Sequence, residues 1–372
     1  MAGKYLGENV GKLGFGFMRL PKKDAGFDLE LINRMVDRFL EAGFTYFDTA
    51  YVYMGSEEAM RETLVKRHPR DKYTIASKLN MMNVMKSEDM QTVFETSLKR
   101  LGTDYLDYYL LHGLNAMTNK RCEELGAWDF VKKLKAEGKI KHYGFSYHDN
   151  PENLDAILTA HPDAEFVQLQ INYLDWDSED VKSRGVYEVA RKHNKPIIIM
   201  EPLKGGLLAD ENSTVSKVLK KADPSASLAS WAMRFVASLD GVFNVLSGMN
   251  SMEQMEDNIN TFQNLKPLSD DEMKVIDEAV NVLKSIPRVP CTSCNYCVEQ
   301  CPQKINIPAL MNLYSNYLVY NSTANSEMAF MFATANRGKP SDCVSCKACE
   351  EQCPQHIEIS DIINKMAPLY EK

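Results

Sequence analysis

The sequence predicts a closed (β/α)8 barrel over residues 1–287, followed by a small α-rich metal-binding domain over residues 288–372. Three observations carry this. Short β-rich runs alternate with amphipathic stretches as far as Leu283, the mark of βα units around a parallel sheet. There are eight such runs, which suits a closed barrel of about 250 residues, and no G-x-G-x-x-G follows the first to suggest an open doubly wound sheet. Finally, eight of the nine cysteines fall in two copies of C-x2-C-x2-C-x3-C-P near the C-terminus.

The strands centre on Leu13 to Met18, Phe44 to Asp48, Tyr73 to Lys78, Leu106 to Leu111, Ile140 to Phe145, Phe166 to Gln170, Pro196 to Met200 and Val242 to Leu246. Several are near-continuous apolar runs, as strands covered on both faces require. Between them, Leu29, Ile32, Val36 and Phe39 recur at helical spacing, as do Met273, Ile276, Val280 and Leu283, so each set presents one apolar face to a sheet. Ser269 and Glu272 form the pattern of a capping box at the start of the last of these helices.

Composition is that of an ordinary globular protein, 44% hydrophobic and 25% charged. No apolar run approaches the ~18 residues that would span a membrane, and Met1 to Val10 lacks the basic and apolar regions of a signal peptide. A formal net charge of −8 with no basic block argues against a nucleic-acid partner. Eight cysteines in ligand spacing suit a reducing compartment, so the expected location is the cytoplasm.

The two cysteine runs are Cys291, Cys294, Cys297 and Cys301, then Cys343, Cys346, Cys349 and Cys353. Thiolates are soft ligands for iron–sulfur clusters, zinc or copper. Paired C-x2-C motifs also build zinc sites, and clustered cysteines also form disulfides in small secreted domains. The proline after each fourth cysteine, Pro302 and Pro354, belongs to the cluster pattern. Over roughly the last 85 residues the sequence resembles bacterial two-cluster ferredoxins. That resemblance implies two [4Fe-4S] clusters with crossed ligation, one on Cys291, Cys294, Cys297 and Cys353 and the other on Cys343, Cys346, Cys349 and Cys301. The segment between Cys301 and Cys343 is longer than such a minimal pair of loops needs.

In a (β/α)8 barrel, function gathers at the C-terminal ends of the strands. Polar residues collect there: Asp48 leading to Tyr53, Lys78, His112, Ser146 and Gln168. A carbonyl that receives a hydride needs a proton on its oxygen and a group to polarise it. Tyr53 supplies the proton in this reading, Lys78 stabilises its phenolate, Asp48 holds Lys78, and His112 orients the substrate oxygen. Singly each has a bland alternative, a structural histidine or a loop ion pair. Together, with Leu13-Gly14-Phe15-Gly16-Phe17-Met18-Arg19-Leu20-Pro21, Asp48-Thr49-Ala50, Gly144-Phe145-Ser146, Pro202-Leu203-Lys204-Gly205-Gly206-Leu207 and Ser247-Gly248, they resemble the aldo-keto reductases across residues 11 to 285.

That resemblance implies a nicotinamide cofactor. Ser146 and Gln168 would hold the carboxamide, with Tyr147 where the family has asparagine, and Met200 would lie against the ring in place of an aromatic. Pro202, Leu203, Gly205, Gly206, Ser247, Gly248, Asn250, Gln254 and Asn258 complete the implied contacts. Gly205 and Gly206 allow close backbone approach to a pyrophosphate, and Ser247 to Ser251 leads into a helix N-terminus. Ser251 with Gln254 also reads as a capping box. Asn250 stands where NADP-preferring relatives have lysine, and Glu253 and Glu256 would repel a 2′-phosphate, so NADH is expected over NADPH.

The combined expectation is an NAD(P)-dependent oxidoreductase acting on a small carbonyl or alcohol, with electron transfer through the clusters to the site or to a redox partner protein. Hydride carries two electrons and each cluster one, a mismatch that a bound FMN would resolve, although no flavin fingerprint is visible. Two alternatives stay open: a nicotinamide-binding redox sensor, and an ordinary reductase with structural clusters. Cys122, at an expected helix start, reads as a bystander. Met81, Met82 and Met85 read equally as pocket lining or loop packing. Asn321-Ser322-Thr323 matches a glycosylation sequon that a cytoplasmic protein would leave unmodified.

Overall fold

Eight parallel strands close on themselves in the computed structural model, which describes residues 6, 10–24, 26–179, 181–323 and 326–371. The strands are β1 (Leu13–Gly16), β2 (Tyr46–Asp48), β3 (Thr74–Leu79), β4 (Leu106–Leu114), β5 (Ile140–Tyr147), β6 (Phe166–Gln170), β7 (Ile197–Met200) and β8 (Val242–Ser247). Each pairs with its sequence neighbours, and β1 closes the ring on β8 through Leu13↔Val245, Gly14↔Leu246 and Phe15↔Ser247. All eight expected strands are present. Most of the N-terminal stretch read for a targeting segment, Met1 to Val10, lies outside the described residues apart from Leu6 and Val10.

Two boundaries differ from expectation in ways that matter for the site. The first strand stops at Gly16, and Phe17–Arg19 turns as a 3-10 helix, because Ser56 Oγ takes the Phe17 carbonyl at 2.9 Å instead of a neighbouring strand. The fourth strand does not end at His112 but runs to Leu114 through a register shift after Leu111, with Gly113 at φ +67°. Glycine tolerates that left-handed conformation without steric cost, and the bulge re-aims His112. A two-strand hairpin, Lys22–Lys23 with Gly26–Phe27, was not anticipated.

The barrel interior is filled by an aromatic layer in which Tyr46 and Tyr108 lie 5.0 Å apart, with Phe166 and Phe243 against them. A second aromatic group, Phe15, Phe17, Phe39 and Phe47, packs the helix Leu29–Glu41 onto β1 and β2; each such pair adds about 0.5–1.5 kcal/mol beyond area burial. That helix buries Ile32, Val36 and Phe39 as its periodicity predicts, while Leu29 stays exposed at its first turn. Ser269 and Glu272 make the expected reciprocal capping box.

The chain divides into two compact units, residues 1–202 with 232–268, and 203–231 with 269–372. The second thus joins the cysteine-rich segment to the helices Ser216–Ala222 and Asp270–Ser285. Its own core centres on Leu310, Met311, Ile359, Ile363 and Met366. Among the described residues no helix is long and apolar enough to cross a membrane.

Candidate functional site

β2 ends at Asp48, and the chain then folds back through tight turns, Ala50 accepting from the Tyr53 N–H and Tyr53 from the Ser56 N–H, both at 2.9 Å. The Thr49 and Ser56 hydroxyls, 2.7 Å apart, brace that loop. Asp48 pairs with Ala76 across β2–β3, which sets Lys78 one pleat further along β3 on the same face. Lys78 is 1% exposed, and its Nζ donates to Asp48 Oδ1 at 2.6 Å and to the Thr49 carbonyl at 2.7 Å. Burial works against its charge, but Asp48, Tyr53 and Glu57 outweigh burial and hold the ammonium pKa above that of an ordinary lysine.

Tyr53 lies with its ring centroid 5.2 Å from Lys78 Nζ and meets the His112 ring edge-on at 5.9 Å. These four residues, drawn from β2, its loop, β3 and β4, thus converge. The electrostatics differ in one respect from the sequence reading. Burial raises the Tyr53 pKa, and although Lys78 opposes this, the net direction is upward. Burial, then the charge of Lys78, push His112 down to about 3, so it is a neutral imidazole at physiological pH. Its Nδ1 has no hydrogen-bond partner among the described residues.

Ser146 and Gln168 are register partners across β5–β6. The Ser146 hydroxyl accepts the Gly113 N–H at 2.8 Å, which ties it to the bulge carrying His112. Gln168 is 3% exposed, and its Oε1 has no partner among the described residues. A buried amide oxygen left without a donor is costly, and it fits the amide N–H of a carboxamide. Tyr147 turns its hydroxyl onto the Asn150 carbonyl at 2.6 Å, so it does not stand in for the family asparagine. Met200 is half-buried at the end of β7, and Pro202 is buried.

Beyond β8, Asn258 donates to the Ser247 hydroxyl at 2.8 Å, both buried. The expected Ser251–Gln254 capping box forms only in half. Ser251 Oγ accepts the Gln254 N–H, but the Gln254 side chain accepts from the Asn250 N–H at 2.9 Å, one residue earlier. Glu256 is also not a free anion: Arg38 binds both its oxygens, at 2.7 and 2.8 Å. The repulsion expected of it toward a 2′-phosphate is therefore largely neutralised, leaving exposed Glu253. In the second unit, Leu203 leads into Gly205 and Gly206, whose φ values of +70° and +100° require glycine.

The cysteines of the second unit line two small cavities that are partly open to solvent. One has Cys343, Cys346, Cys349 and Cys301 in its wall, the other Cys291, Cys294, Cys297 and Cys353, the crossed grouping that the ferredoxin resemblance implies. Four thiols around a volume suit a cluster. The Ile305 N–H points at Cys301 Sγ, 3.5 Å away, a donor that stabilises a ligated sulfur. Burial pushes the Cys297 and Cys349 thiols up to about 11, so ligation there displaces protons.

Residues 12–281 match the Aldo/keto reductase family, and residues 290–358 match the 4Fe-4S dicluster domain. The chain belongs to the aldo/keto reductase family. This aldo/keto reductase is 31% identical over 211 residues to Probable aldo-keto reductase 1 of Glycine max, covering 54% of this chain and 58% of that protein. It is 26% identical over 247 residues to a 9,11-endoperoxide prostaglandin H2 reductase of Trypanosoma cruzi, 64% and 79% of the two chains. The matches span 58%, 61% and 51% of the first three curated relatives' own lengths. An aldo-keto reductase from Bacillus halodurans in its holo form superposes with TM-score 0.56 at 25% identity, over 73% of this chain and 93% of that one. One from Klebsiella pneumoniae in complex with NADPH does so with TM-score 0.59 at 23% identity, over 72% and 90%.

Two features of the aldo/keto reductase barrel escaped the sequence reading. Glu57, 1% exposed, accepts from Ser77 Oγ at 2.8 Å and faces Arg100 at 3.4 Å, and its charge acts on Lys78. Its place in Gly-Ser-Glu-Glu shortly after Tyr53 was the available signal. Glu201 follows Met200 with φ +56°, a conformation that costs a non-glycine residue roughly 1–2 kcal/mol, and it meets Arg19 at 3.3 Å. Only backbone geometry reveals that. Cys122, expected at a helix start, lies instead in the last turn of Ala116–Leu125, fully buried with its thiol pushed up to about 12. Of the three loop methionines, Met81 is buried and Met82 and Met85 are exposed. Asn321 caps the helix Ile307–Tyr320 in a left-handed conformation.

Proposed function

We propose that this chain is a nicotinamide-dependent oxidoreductase that reduces a small carbonyl compound or oxidises the corresponding alcohol, with its C-terminal clusters exchanging electrons with the site or with a redox partner protein. The observation that carries the reading is the buried, charged Lys78, held by Asp48 and facing the Tyr53 ring. When bound, a nicotinamide supplies or accepts the hydride and the clusters supply one-electron storage. Ser146 and Gln168 would hold the carboxamide, and Met200 the face of the ring.

The chain's own residues handle the proton. In the reduction direction Tyr53 Oη, un-ionised because burial raises its pKa, gives its proton to the developing alkoxide. Lys78 then stabilises the phenolate left behind, and Asp48 keeps Lys78 charged and in place. Neutral His112 offers a ring nitrogen to the substrate oxygen without repelling Lys78. Oxidation reverses each step. Exposed Glu253 and neutral Asn250 favour NADH, more weakly than an unpaired Glu256 would have done. FMN as the intermediary between hydride and clusters is decided by the visible spectrum of anaerobically purified protein.

Tyr53→Phe tests the assignment: turnover of a carbonyl panel should fall by about 10²- to 10⁴-fold while NADH binding, followed by fluorescence, stays unchanged. Near-normal turnover would remove Tyr53 from the reaction. One observation favours a second reading, in which the clusters are structural. Cys297 and Cys349 are part of the hydrophobic core of the second unit, so ligation there would also hold that core together. Adding NADH to anaerobic protein separates the two: bleaching of cluster absorbance supports electron exchange, and its absence supports a structural role.

A further inference from the structure

Inward side chains of a barrel stand in layers, because residues two apart on a strand share a face. Pairing of Ser146 with Gln168 and of Gln168 with Ile198 makes one such layer across β5, β6 and β7. Two residues further along, Gln170 pairs with Met200, and His148 enters that upper layer on β5, above Ser146. Its N–H donates to the Leu114 carbonyl at 2.9 Å, which carries the β4–β5 pairing one residue past Tyr147. Tyr147 lies on the opposite face beside Phe145, whose ring packs on Trp128 of a surrounding helix. His148 therefore faces the barrel mouth, on backbone that is fixed by strand pairing.

His148 is exposed, yet desolvation lowers its pKa, so the imidazole is neutral at physiological pH. Solvent on one side and protein around the rest is the setting of a side chain that lines a concave opening. A charge on His148 acts on His112, and the charge of Glu201 acts on His148, which puts its ring within reach of both strand ends. Glu201 is met by Arg19 at 3.3 Å and Lys78 by Asp48 at 2.6 Å, leaving the opening with little net charge. Gln170, next to His148 in the layer, is drawn onto Asp175 at 3.4 Å. The His148 ring itself has no hydrogen-bond partner among the described residues.

A neutral imidazole offers one N–H donor and one acceptor nitrogen, the complement of a hydroxyl. Diagonal neighbours on adjacent strands stand about 7–8 Å apart, a span that long side chains close, so His112 and His148 converge on neighbouring atoms of one substrate. We infer that His148 is a specificity-determining residue that hydrogen-bonds a second, uncharged oxygen of the substrate, on the carbon next to the carbonyl, and that the substrates are α-hydroxy ketones and aldehydes. The inference rests on the reductase reading proposed above, since His112 must orient the carbonyl oxygen for His148 to meet its neighbour. Because the ring is open to water, the substrate hydroxyl exchanges one hydrogen bond for another, and the gain over a methyl group in its place is about tenfold in kcat/KM.

The test uses the full chain and ketone pairs in which a hydroxyl replaces a methyl group: hydroxyacetone with butanone, and α-hydroxyacetophenone with propiophenone, each with NADH and with NADPH. A hydroxyl also activates the neighbouring carbonyl, so the comparison between variants decides. The ratio of kcat/KM within a pair should fall about tenfold in His148→Leu and stay within about threefold of native in His148→Asn, which keeps a donor and an acceptor. His148→Phe, equally without a donor, serves if the first variant does not fold. A histidine with only a structural role would lower both members of a pair alike and leave the ratio in place. An unchanged ratio in His148→Leu, or a native ratio near one, overturns the inference and leaves the reductase reading standing. No turnover of any carbonyl overturns both.

Discussion

Replacing Lys78 by methionine should separate the structural role of the Asp48–Lys78 pair from its chemical one. Both side chains are almost wholly buried and 2.6 Å apart. Lys78→Met keeps much of the volume but strands the Asp48 carboxylate, whose other oxygen, Oδ2, already has no hydrogen-bond partner among the described residues. Breaking a buried pair from one side costs about 3–5 kcal/mol, a large share of a domain's typical stability. Removing the charge of both, in Asp48→Asn with Lys78→Met, should recover much of that loss. The chemistry should not recover. At 5.2 Å from the Tyr53 ring and an effective dielectric of about 20, Lys78 favours the phenolate by about 3 kcal/mol, or about two pKa units. Turnover should therefore fall by roughly 10²-fold in both the single and the double variant. Denaturant unfolding measures the first effect and NADH oxidation with a carbonyl panel the second. A single variant as stable as the native protein, or one that keeps more than a tenth of its turnover, would refute the reasoning.

The pKa of His112 gives a stability prediction with a definite sign. Its folded value, about 3, lies below the ordinary histidine value, so the unfolded chain binds the proton first; the stability it contributes is complete above about pH 6.5 and is lost as pH falls toward 3. His112→Gln should flatten that part of the stability–pH curve, and an unchanged slope would mean the imidazole is not buried as described. Arg38→Ala frees the Glu256 carboxylate, so the KM for NADPH should rise at least about threefold relative to that for NADH, from roughly 1 kcal/mol of exposed charge repulsion; a constant ratio would place the adenosine end elsewhere. Cys294→Ala removes an exposed thiol that packs little, so loss of about half the iron with an unchanged barrel spectrum is expected, and full iron content would remove Cys294 from the ligands.

How much of this was legible beforehand follows from the kind of signal each feature leaves. The eight strands were readable because a strand covered on both faces must be apolar throughout, and Val, Ile, Leu and aromatic runs such as Ile197–Met200 have few other uses. The cysteine runs were readable because ligand spacing is local. His112, Tyr53, Lys78 and Asp48 were readable as a group because a parallel barrel brings all strand ends to one face, so order along the chain converts directly into proximity.

Other features depend on pairings that no local pattern records. Glu256 looked like an exposed acid on a helix, and only folding brings Arg38, 218 residues away, onto both its oxygens. Tyr53 beside Lys78 suggested an easier proton, but the net shift is set by desolvation, which depends on how many atoms surround the ring and not on which residues are near it in sequence. The left-handed Glu201 and the bulge at His112–Gly113 are backbone choices made by the surrounding packing. By itself, then, the sequence determined the strand count, the cysteine ligand pattern and the residue types at the barrel mouth, because each follows from local periodicity or spacing. Tertiary structure alone decided which charges are neutralised and which protons are held, because those are set by distance and burial between residues far apart along the chain.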